Sequence, residues 1–436
     1  MNPIRKYLLL FFAVSASLLF CYDILLPYGA LLCIFSIALL FFIEPDHVIL
    51  TAQNLLFLIS RTILLLLPAI FSDVYYYEPI GTRLIQGEIP YSTFQFEYPP
   101  LTLIPILLGK VLSLFFGDSD HYRFWFQIPL LVFDLGVYQW LRRRAYPGAV
   151  SLTYILLPLL LYPLWYDRLD LVIGLILMMA GISFSEKKTI RAISLIGIAT
   201  LYKIVPMIAT VFAPLFRFKL RPLQRENLVY LVLFTIALLG SALFPKAWIE
   251  VFQYHTGRPI QAESLWATLD YLYRTFTDSG DFNNFVVQSH GSFGINPYLN
   301  LNLISELTLP ILLAALGIFF LRFYKRHPFE CFHLLIPFML FLCFSRVFSP
   351  QYLIWIVPLI GVSRFQITKT LDRWVLVLSC LVCGMSSILL IHYLDFTNVR
   401  MDLWLLLSVR NIFCLCILVL LFLKLKESLK TAPSSQ

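Results

Sequence analysis

The chain has 436 residues, of which 59% are hydrophobic, 16% are aromatic and only 13% are charged. Soluble globular proteins carry about a quarter charged residues, so a soluble enzyme, a disordered chain and a disulfide-rich secreted domain are excluded. The net charge of +8 does not indicate nucleic-acid binding, because Lys and Arg collect in the cytoplasmic loops of membrane proteins. The composition instead predicts an all-α, polytopic membrane protein.

Apolar segments recur along the whole chain, and a run of about 20 residues can cross a hydrocarbon core about 30 Å thick as a helix. We predict about 12 to 14 spans, which form a transmembrane helical bundle. The candidate segments are Tyr7–Phe20, Leu26–Ile43, Leu55–Phe71, Phe124–Leu141, Ala149–Trp165, Leu171–Phe184, Ile190–Leu201, Ile204–Phe216, Leu228–Phe244, Leu301–Leu321, Phe332–Phe344, Tyr352–Val362, Val375–Ile391 and Leu403–Leu423.

The basic residues predict the orientation of these spans. Most of the 33 Lys and Arg residues fall on one side of the membrane if the N-terminus is cytoplasmic, as the positive-inside rule requires. The apolar stretch Leu101–Phe116 is predicted to lie at the outer interface as a helix, because a crossing there would move Arg142–Arg144 outside. Within a single domain of residues 1–436, two large extracytoplasmic loops result, residues 72–123 and 245–300.

The first outer loop contains the most informative segment, SDVYYYEPIGTRLIQGEIPYSTFQFEYPPLT, from Ser72 to Thr102. Asp73 lies where a predicted span emerges, and an ionisable group at a membrane boundary is costly unless it is solvated or functional. From the residues alone two interpretations stay open: Asp73 caps a helix that an aromatic belt follows, or it carries chemistry. Pro99 and Pro100 are expected to fix the entry into the interfacial helix.

Three basic residues are candidates for binding an anion. Lys203 lies between two short apolar segments, where a lysine is costly unless it meets an anion or extends to the membrane surface. Arg346 follows an apolar run and precedes the polar cluster that contains Gln351. Arg258 belongs to the second outer loop, where its planar guanidinium is suited to a bidentate contact with phosphate.

Four motifs occur in an order that resembles a known family. The acidic residue at an early helix end is followed by aromatic residues and by the G-x-x-P-Y and E-Y-P-P motifs of Gly87–Tyr91 and Glu97–Pro100. LYKIVP from Leu201, FQYHTGRPIQAESLW from Phe252 and FSPQYLIWIVPL from Phe348 come next. Together, over most of the chain from Leu55 to Ile391, they resemble the GT-C superfamily of membrane glycosyltransferases. Within it they resemble glycosyltransferase family 87, the bacterial polyprenyl-phosphate-mannose-dependent α-mannosyltransferases.

The resemblance implies transfer of a hexose, with mannose expected, from a polyprenyl-phosphate-sugar donor to a lipid or polysaccharide acceptor. The reaction would take place on the extracytoplasmic face of the bacterial inner membrane and would invert the anomeric centre. Asp73 would act as general base, with Glu97 as the reserve, and Lys203, Arg258 and Arg346 would contact the donor phosphate.

Other polar residues of the outer loops are expected to contact the substrate. They are Glu97, Tyr98, Asp167, Asp170, His255, Glu263, Trp266 and Gln351. Asp167 and Asp170 either bind sugar hydroxyls or pair with Arg168 between them. Trp266 either stacks on a sugar face or anchors the loop at the interface. The expected partners are membrane lipids, the lipid-linked donor and its acceptor, and no nucleic acid. No metal or other cofactor is predicted, because motifs such as HExxH, the P-loop and GxGxxG do not occur.

Two other functions remain open on the sequence. A polysaccharide ligase or polymerase would share the lipid-linked donor and the large outer loop, but it would not need Asp73. A lipid or sugar transporter (flippase) would favour broken helices such as the pair of segments around Lys203, but transporters normally show repeated halves, and no repeat is evident.

Overall fold

The computed structural model describes residues 52–67, 72–117, 119–144, 148–215, 225–277, 282, 284–323 and 329–431. Two predicted spans, Tyr7–Phe20 and Leu26–Ile43, lie outside the described residues. The chain groups into two units, Met1–Thr62 and Ile63–Gln436, and both predicted outer loops belong to the second unit. The single domain predicted for residues 1–436 stays a prediction.

The described residues are mostly helical, as the composition predicts. The α-helices are α1 (Ala52–Leu66), α2 (Val74–Ile85), α3 (Leu103–Phe115), α4 (Tyr122–Arg143), α5 (Gly148–Leu160), α6 (Asp170–Ser185), α7 (Thr189–Tyr202), α8 (Arg225–Ala242), α9 (Pro245–Thr256), α10 (Leu265–Phe276), α11 (Asn302–Phe323), α12 (Phe332–Phe344), α13 (Leu353–Val362), α14 (Thr370–Ile391) and α15 (Met401–Thr431). Short 3₁₀ segments cover Pro100–Thr102, Ser119–His121, Val205–Leu215, Pro350–Tyr352 and Tyr393–Asn398.

Membrane-spanning length is reached by fewer helices than the sequence predicts. Among the described residues, Asn302–Arg322, Thr370–Ile391 and Met401–Lys430 are long and apolar enough to cross a membrane. A fourth candidate arises if Leu228–Ala242 and Pro245–His255, which meet at 83°, form one broken span. Several other predicted spans are shorter helices, such as the 13-residue α12, which is about 20 Å long against a core of about 30 Å. Membrane association is thus supported, and the larger bundle stays a prediction.

The helices α12 and α13 form the apolar centre of the second unit. All residues of α13 are buried, as are the residues of α12 from Phe332 to Cys343, so these helices are apolar on every side and are covered by their neighbours. Helix α13 packs against α5, α6 and α12. Just before α13 come Pro350, Gln351 and Tyr352, which the buried helix therefore holds in a fixed place in contact with α14.

The helix break that the sequence predicts around Lys203 is present. Helix α7 ends at Tyr202, and Lys203 has an extended backbone with φ −157° and ψ 134°. Pro206 stands at the second position of the 3₁₀ segment that follows, where its missing N–H costs no helical hydrogen bond. The break turns the Lys203 side chain away from the helix axis and into the interior, where only 4% of it is exposed.

A β-hairpin in the second outer loop departs from the predicted all-α fold. Strands β1 (Val286–Ser289) and β2 (Ser292–Ile295) pair antiparallel with Ser289 opposite Ser292. The two turn residues, His290 and Gly291, both have positive φ, at 52° and 66°. A two-residue turn with positive φ at both positions matches the right-handed twist of the strands, and glycine adopts it without steric cost. The sequence signal for this hairpin is the His-Gly turn between VVQS and SFGI, but the hairpin was not predicted from it.

A close approach at Gly174 sets the distance between α6 and α13. A Cβ atom on Gly174 would lie 2.4 Å from the carbonyl oxygen of Ile354 and 3.2 Å from Cα of Trp355. We expect Gly174→Ala to lower the free energy of unfolding by about 1–3 kcal/mol, because backbone atoms cannot rotate out of the way. Gly136→Ala is the matched control, since a Cβ on Gly136 of α4 meets nothing within 4 Å. Melting temperatures in detergent compare the two, and equal values would contradict the expected clash.

Candidate functional site

A polar cavity of about 560 Å³ lies in the second unit. Its walls come from both outer loops, from the break after α7, from the start of α13 and from the end of α14. Most of the site residues predicted from the sequence line it: Asp73, Glu97, Tyr98, Lys203, His255, Arg258, Glu263 and Gln351. The fold therefore brings together candidate residues that are almost 280 positions apart along the chain.

Asp73 occupies the N-cap position of α2, but its side chain does not cap the helix. Its carboxylate oxygen Oδ1 forms an ion pair with Nη1 of Arg168, and Tyr77 donates a hydrogen bond to Oδ2 across 3.3 Å. The hydroxyl of Ser72 accepts the hydrogen bond from the N–H of Val74 instead. About 27% of the Asp73 side chain is exposed, so the carboxylate faces the cavity and remains accessible from it.

Lys203 is buried and already has an acidic partner. Its Nζ lies 2.9 Å from Oδ1 of Asp170, which is itself only 3% exposed. Three aromatic rings surround the ammonium group at centroid distances of 5.5, 5.1 and 5.4 Å, from Tyr98, Tyr352 and Trp355 respectively. Buried charges persist in proteins when they are paired, and the ring faces add cation–π stabilisation. Asp170 thus reaches the site as the partner of Lys203.

Arg258 stands at the hairpin side of the cavity. Its Nη2 donates a hydrogen bond to Oγ of Ser292 across 2.8 Å, and its guanidinium lies 5.4 Å from the centre of the Tyr254 ring. The hydroxyl of Tyr254 in turn donates to the carbonyl oxygen of His290 across 3.0 Å. These contacts leave the guanidinium on the cavity wall, where it can meet an anion.

Glu263 is a buried carboxyl group in the loop between α9 and α10. Its Oε2 accepts a hydrogen bond from Nε2 of Gln261 across 3.3 Å. Its backbone carbonyl accepts hydrogen bonds from Arg410 and Asn411 of α15, across 2.5 Å and 3.3 Å. Burial raises the pKa of Glu263 to about 7, and the charges of Arg410, Arg168 and Arg258 oppose that rise. The carboxyl group therefore changes its charge near neutral pH.

Four predicted site residues lie outside the cavity wall: Asp170, which pairs with Lys203, and three others. Asp167 accepts hydrogen bonds from Nε of Arg123 at 2.9 and 3.1 Å and from Gln127 at 2.6 Å. Arg346 forms an ion pair with Glu306, and its backbone carbonyl accepts from the N–H of Gln261 across 2.9 Å. Trp266 is 6% exposed, and its Nε1 donates to the carbonyl oxygen of Phe344 across 3.1 Å. Each of these side chains connects neighbouring segments.

Several cavity residues were not singled out from the sequence as part of the site. They include Tyr76, Arg168, Tyr254, Gln261, His290, Ser292, Tyr352 and Tyr393. Arg168 had a signal, since it stands between two acidic residues in WYDRLD, but the sequence left open whether those acids pair with it or bind sugar hydroxyls. Tyr393 had none, because it follows a candidate membrane-spanning helix and lies far along the chain from the first-loop motifs.

Within the part of the chain that the structure describes, no group of three His, Cys, Asp or Glu side chains is arranged to hold a metal ion. Comparison with models of known protein families gives no match to this chain, and comparison with curated proteins gives no significant match. The case for its function therefore depends on the chemistry of the cavity and on the sequence motifs.

Proposed function

We propose that this protein is a membrane glycosyltransferase of the GT-C type. It transfers a hexose, with mannose as the expected sugar, from a polyprenyl-phosphate donor to a lipid or polysaccharide acceptor. The cavity would face the extracytoplasmic side of the bacterial inner membrane. The observation that carries this proposal is that one cavity is lined both by the Asp73 carboxylate from the first outer loop and by the Arg258 guanidinium from the second.

The proposed reaction is one displacement at the anomeric carbon. The acceptor oxygen attacks that carbon while its proton passes to the carboxylate of Asp73, and the bond from the carbon to the phosphate oxygen breaks. The polyprenyl phosphate leaves with the bonding electrons, and Arg258 and Lys203, which both line the cavity, stabilise the charge that grows on the leaving group. Attack from the side opposite to the leaving group inverts the anomeric configuration.

The buried part of the site suits this division of roles. The Lys203–Asp170 ion pair lies beside the rings of Tyr98 and Tyr352, which form aromatic walls against which a sugar ring can pack. Glu97, Gln351 and Glu263 also line the cavity, and their oxygen and amide groups are suited to the hydroxyls of a sugar. The cavity volume of about 560 Å³ accommodates a hexose together with a phosphate group.

A donor panel tests the proposal directly. Purified protein in detergent is incubated with radiolabelled polyprenyl-phosphate mannose, glucose or arabinose and with a bacterial envelope extract as the source of acceptors. We expect label to pass to lipid or polysaccharide from a polyprenyl-phosphate hexose and not from the corresponding nucleotide sugar. Transfer from the nucleotide sugar alone, or from none of these donors, would contradict the proposal.

Replacement of Arg258 tests the contact with the donor phosphate. We expect Arg258→Gln to weaken donor binding about 10-fold to 100-fold, since a hydrogen bond to a charged group contributes about 1.5–3 kcal/mol. Arg258→Lys should recover only part of this loss, because an ammonium group cannot make the bidentate contact. Arg83→Gln is the control, as Arg83 is 48% exposed, pairs with Glu88 and does not line the cavity. The measurement is KM for the donor, and equal values for the Arg258 and Arg83 variants would refute the contact.

A further inference from the structure

The WYDRLD segment is fixed at both ends by buried polar contacts. At one end Asp167, which is 2% exposed, accepts three hydrogen bonds from Arg123 and Gln127 of α4. At the other end Asp170 begins α6 and pairs with Lys203 across 2.9 Å. Arg168 stands between these two anchored residues and is itself 8% exposed. Its position is therefore set by the fold and does not depend on a bound substrate.

From this position Arg168 forms an ion pair with the Asp73 carboxylate. Its Nη1 pairs with Oδ1, and Oδ2 accepts a hydrogen bond from the hydroxyl of Tyr77 across 3.3 Å. A carboxylate oxygen has two lone pairs, so Oδ2 can still accept a proton from a group that enters the cavity. Arg168 and Tyr77 thus both hold the carboxylate, which lines the cavity and belongs to a side chain that is 27% exposed.

We propose that Arg168 is the positioning residue for Asp73: its ion pair orients the carboxylate and keeps it ionised, so that the carboxylate can take the proton of the acceptor hydroxyl. This role rests on the proposed function of Asp73 as general base. A carboxylate that can rotate freely presents its oxygens in many directions, and the ion pair removes that freedom before the substrate binds. The anchors at Asp167 and Asp170 keep Arg168 itself from moving.

The charged and titratable groups around this pair come from every wall of the cavity. They are Tyr76 and Tyr77 of α2, Glu97 and Tyr98 of the first loop, Asp170, Lys203, Tyr254, His255, Arg258, Glu263, His290, Tyr352 and Tyr393. Burial raises the pKa of Glu263 to about 7, so its titration contributes to any pH profile near neutrality. Burial lowers the pKa of Arg168 to about 10, so the guanidinium keeps its charge throughout the acidic pH range in which a carboxylate takes up a proton.

The test is the pH dependence of kcat/KM for sugar transfer in Arg168→Gln and Arg168→Lys, each also measured in a Glu263→Gln background. Loss of a cation at hydrogen-bonding distance makes a carboxylate easier to protonate. The acid limb of the pH profile, where kcat/KM falls as the pH is lowered, should therefore move up by about 1–3 pH units in Arg168→Gln. Arg168→Lys should keep the limb of the parent protein and lose about 3-fold to 10-fold in kcat with little change in KM, because it restores the charge without the planar contact.

The outcomes separate this role from a structural one and from the proposed function. If Arg168→Gln lowers kcat/KM by the same factor at all pH values, the positioning role is overturned. If Arg168→Gln does not fold, a full kcat or a change in KM alone for Arg168→Lys overturns it. Loss of transfer in Asp73→Asn together with an unmoved limb in Arg168→Gln rejects Arg168 and retains the general base. Full transfer by Asp73→Asn rejects the general base, and the role of Arg168 fails with it.

Discussion

Asp73→Asn is expected to lower kcat for sugar transfer by about 100-fold to 10,000-fold, the range that proton transfer by a positioned side chain contributes. The acceptor hydroxyl has a pKa far above 7 and must lose its proton as it attacks, and an amide cannot take it. The variant keeps the size of the side chain, so the cavity should retain its shape and its affinity for the donor. KM for the donor should therefore change much less than kcat does.

Two controls accompany this variant. Glu78→Gln lies on the same helix α2, with a side chain that is 38% exposed and outside the cavity wall, and it should transfer sugar at the parent rate. Glu97→Gln removes the other carboxylate that the first loop supplies to the cavity. If Glu97→Gln loses more activity than Asp73→Asn, the base is Glu97. If Asp73→Asn transfers at the full rate, the general-base hypothesis fails, and a polysaccharide ligase or polymerase becomes the better explanation.

The melting temperature of Asp73→Asn must be measured with its activity. The replacement removes the carboxylate that forms an ion pair with Arg168, which is 8% exposed, and weaker pairing of a buried cation is costly. A folded variant that binds donor but does not transfer sugar supports the chemical role. A variant with a lower melting temperature and weaker donor binding indicates that the Asp73–Arg168 pair mainly stabilises the fold.

The helices were accessible from the sequence because their signals are local. Apolar runs and the residues that interrupt them predict Phe332–Phe344 to the residue, and they predict the break at Lys203. The sequence cannot decide how far each helix must extend to cross a membrane, because that depends on how its ends pack. The β-hairpin was missed for a related reason, since each of its strands has only four residues, too few for an alternating pattern to stand out.

Within the candidate site, the sequence could indicate which residues are chemically capable but not how they pair. WYDRLD contains two acids beside one arginine, and local sequence alone cannot exclude a pair among them. In the folded chain each of the three has a distant partner: Asp167 binds Arg123, Arg168 binds Asp73, and Asp170 binds Lys203. These choices follow from the packing of α4, α6 and α7, which is a property of the whole unit.

Glu263→Gln is expected to stabilise the protein at alkaline pH and to have little effect at pH 5. Burial raises the pKa of Glu263 from 4.5 to about 7. Below about pH 4.5 the folded and unfolded chains both carry the proton, so its ionisation does not affect stability. As the pH rises to 7, the unfolded chain loses the proton while the folded chain keeps it, so stability falls. The loss is complete above pH 7, at about 3 kcal/mol for this change in pKa.

Glutamine does not titrate, so the variant avoids that loss. We expect the melting temperature of Glu263→Gln in detergent to exceed that of the parent protein by several degrees at pH 8 and to be close to it at pH 5. Glu88→Gln is the control, because Glu88 forms a surface ion pair with Arg83 at 4.0 Å, which contributes at most about 1 kcal/mol. Its effect should therefore be small at both pH values.

The opposite result would also be informative. Arg410 of α15 donates to the backbone carbonyl of Glu263 and lies close enough to oppose the effect of burial on the carboxyl group. If Glu263→Gln is less stable than the parent at pH 8, the ionised carboxylate is stabilised by Arg410, and burial does not dominate. A gain at pH 8 means instead that the fold keeps a buried carboxyl group at a cost in stability. A protein retains such a group when its substrate needs it, which is the role that the proposed function gives to Glu263.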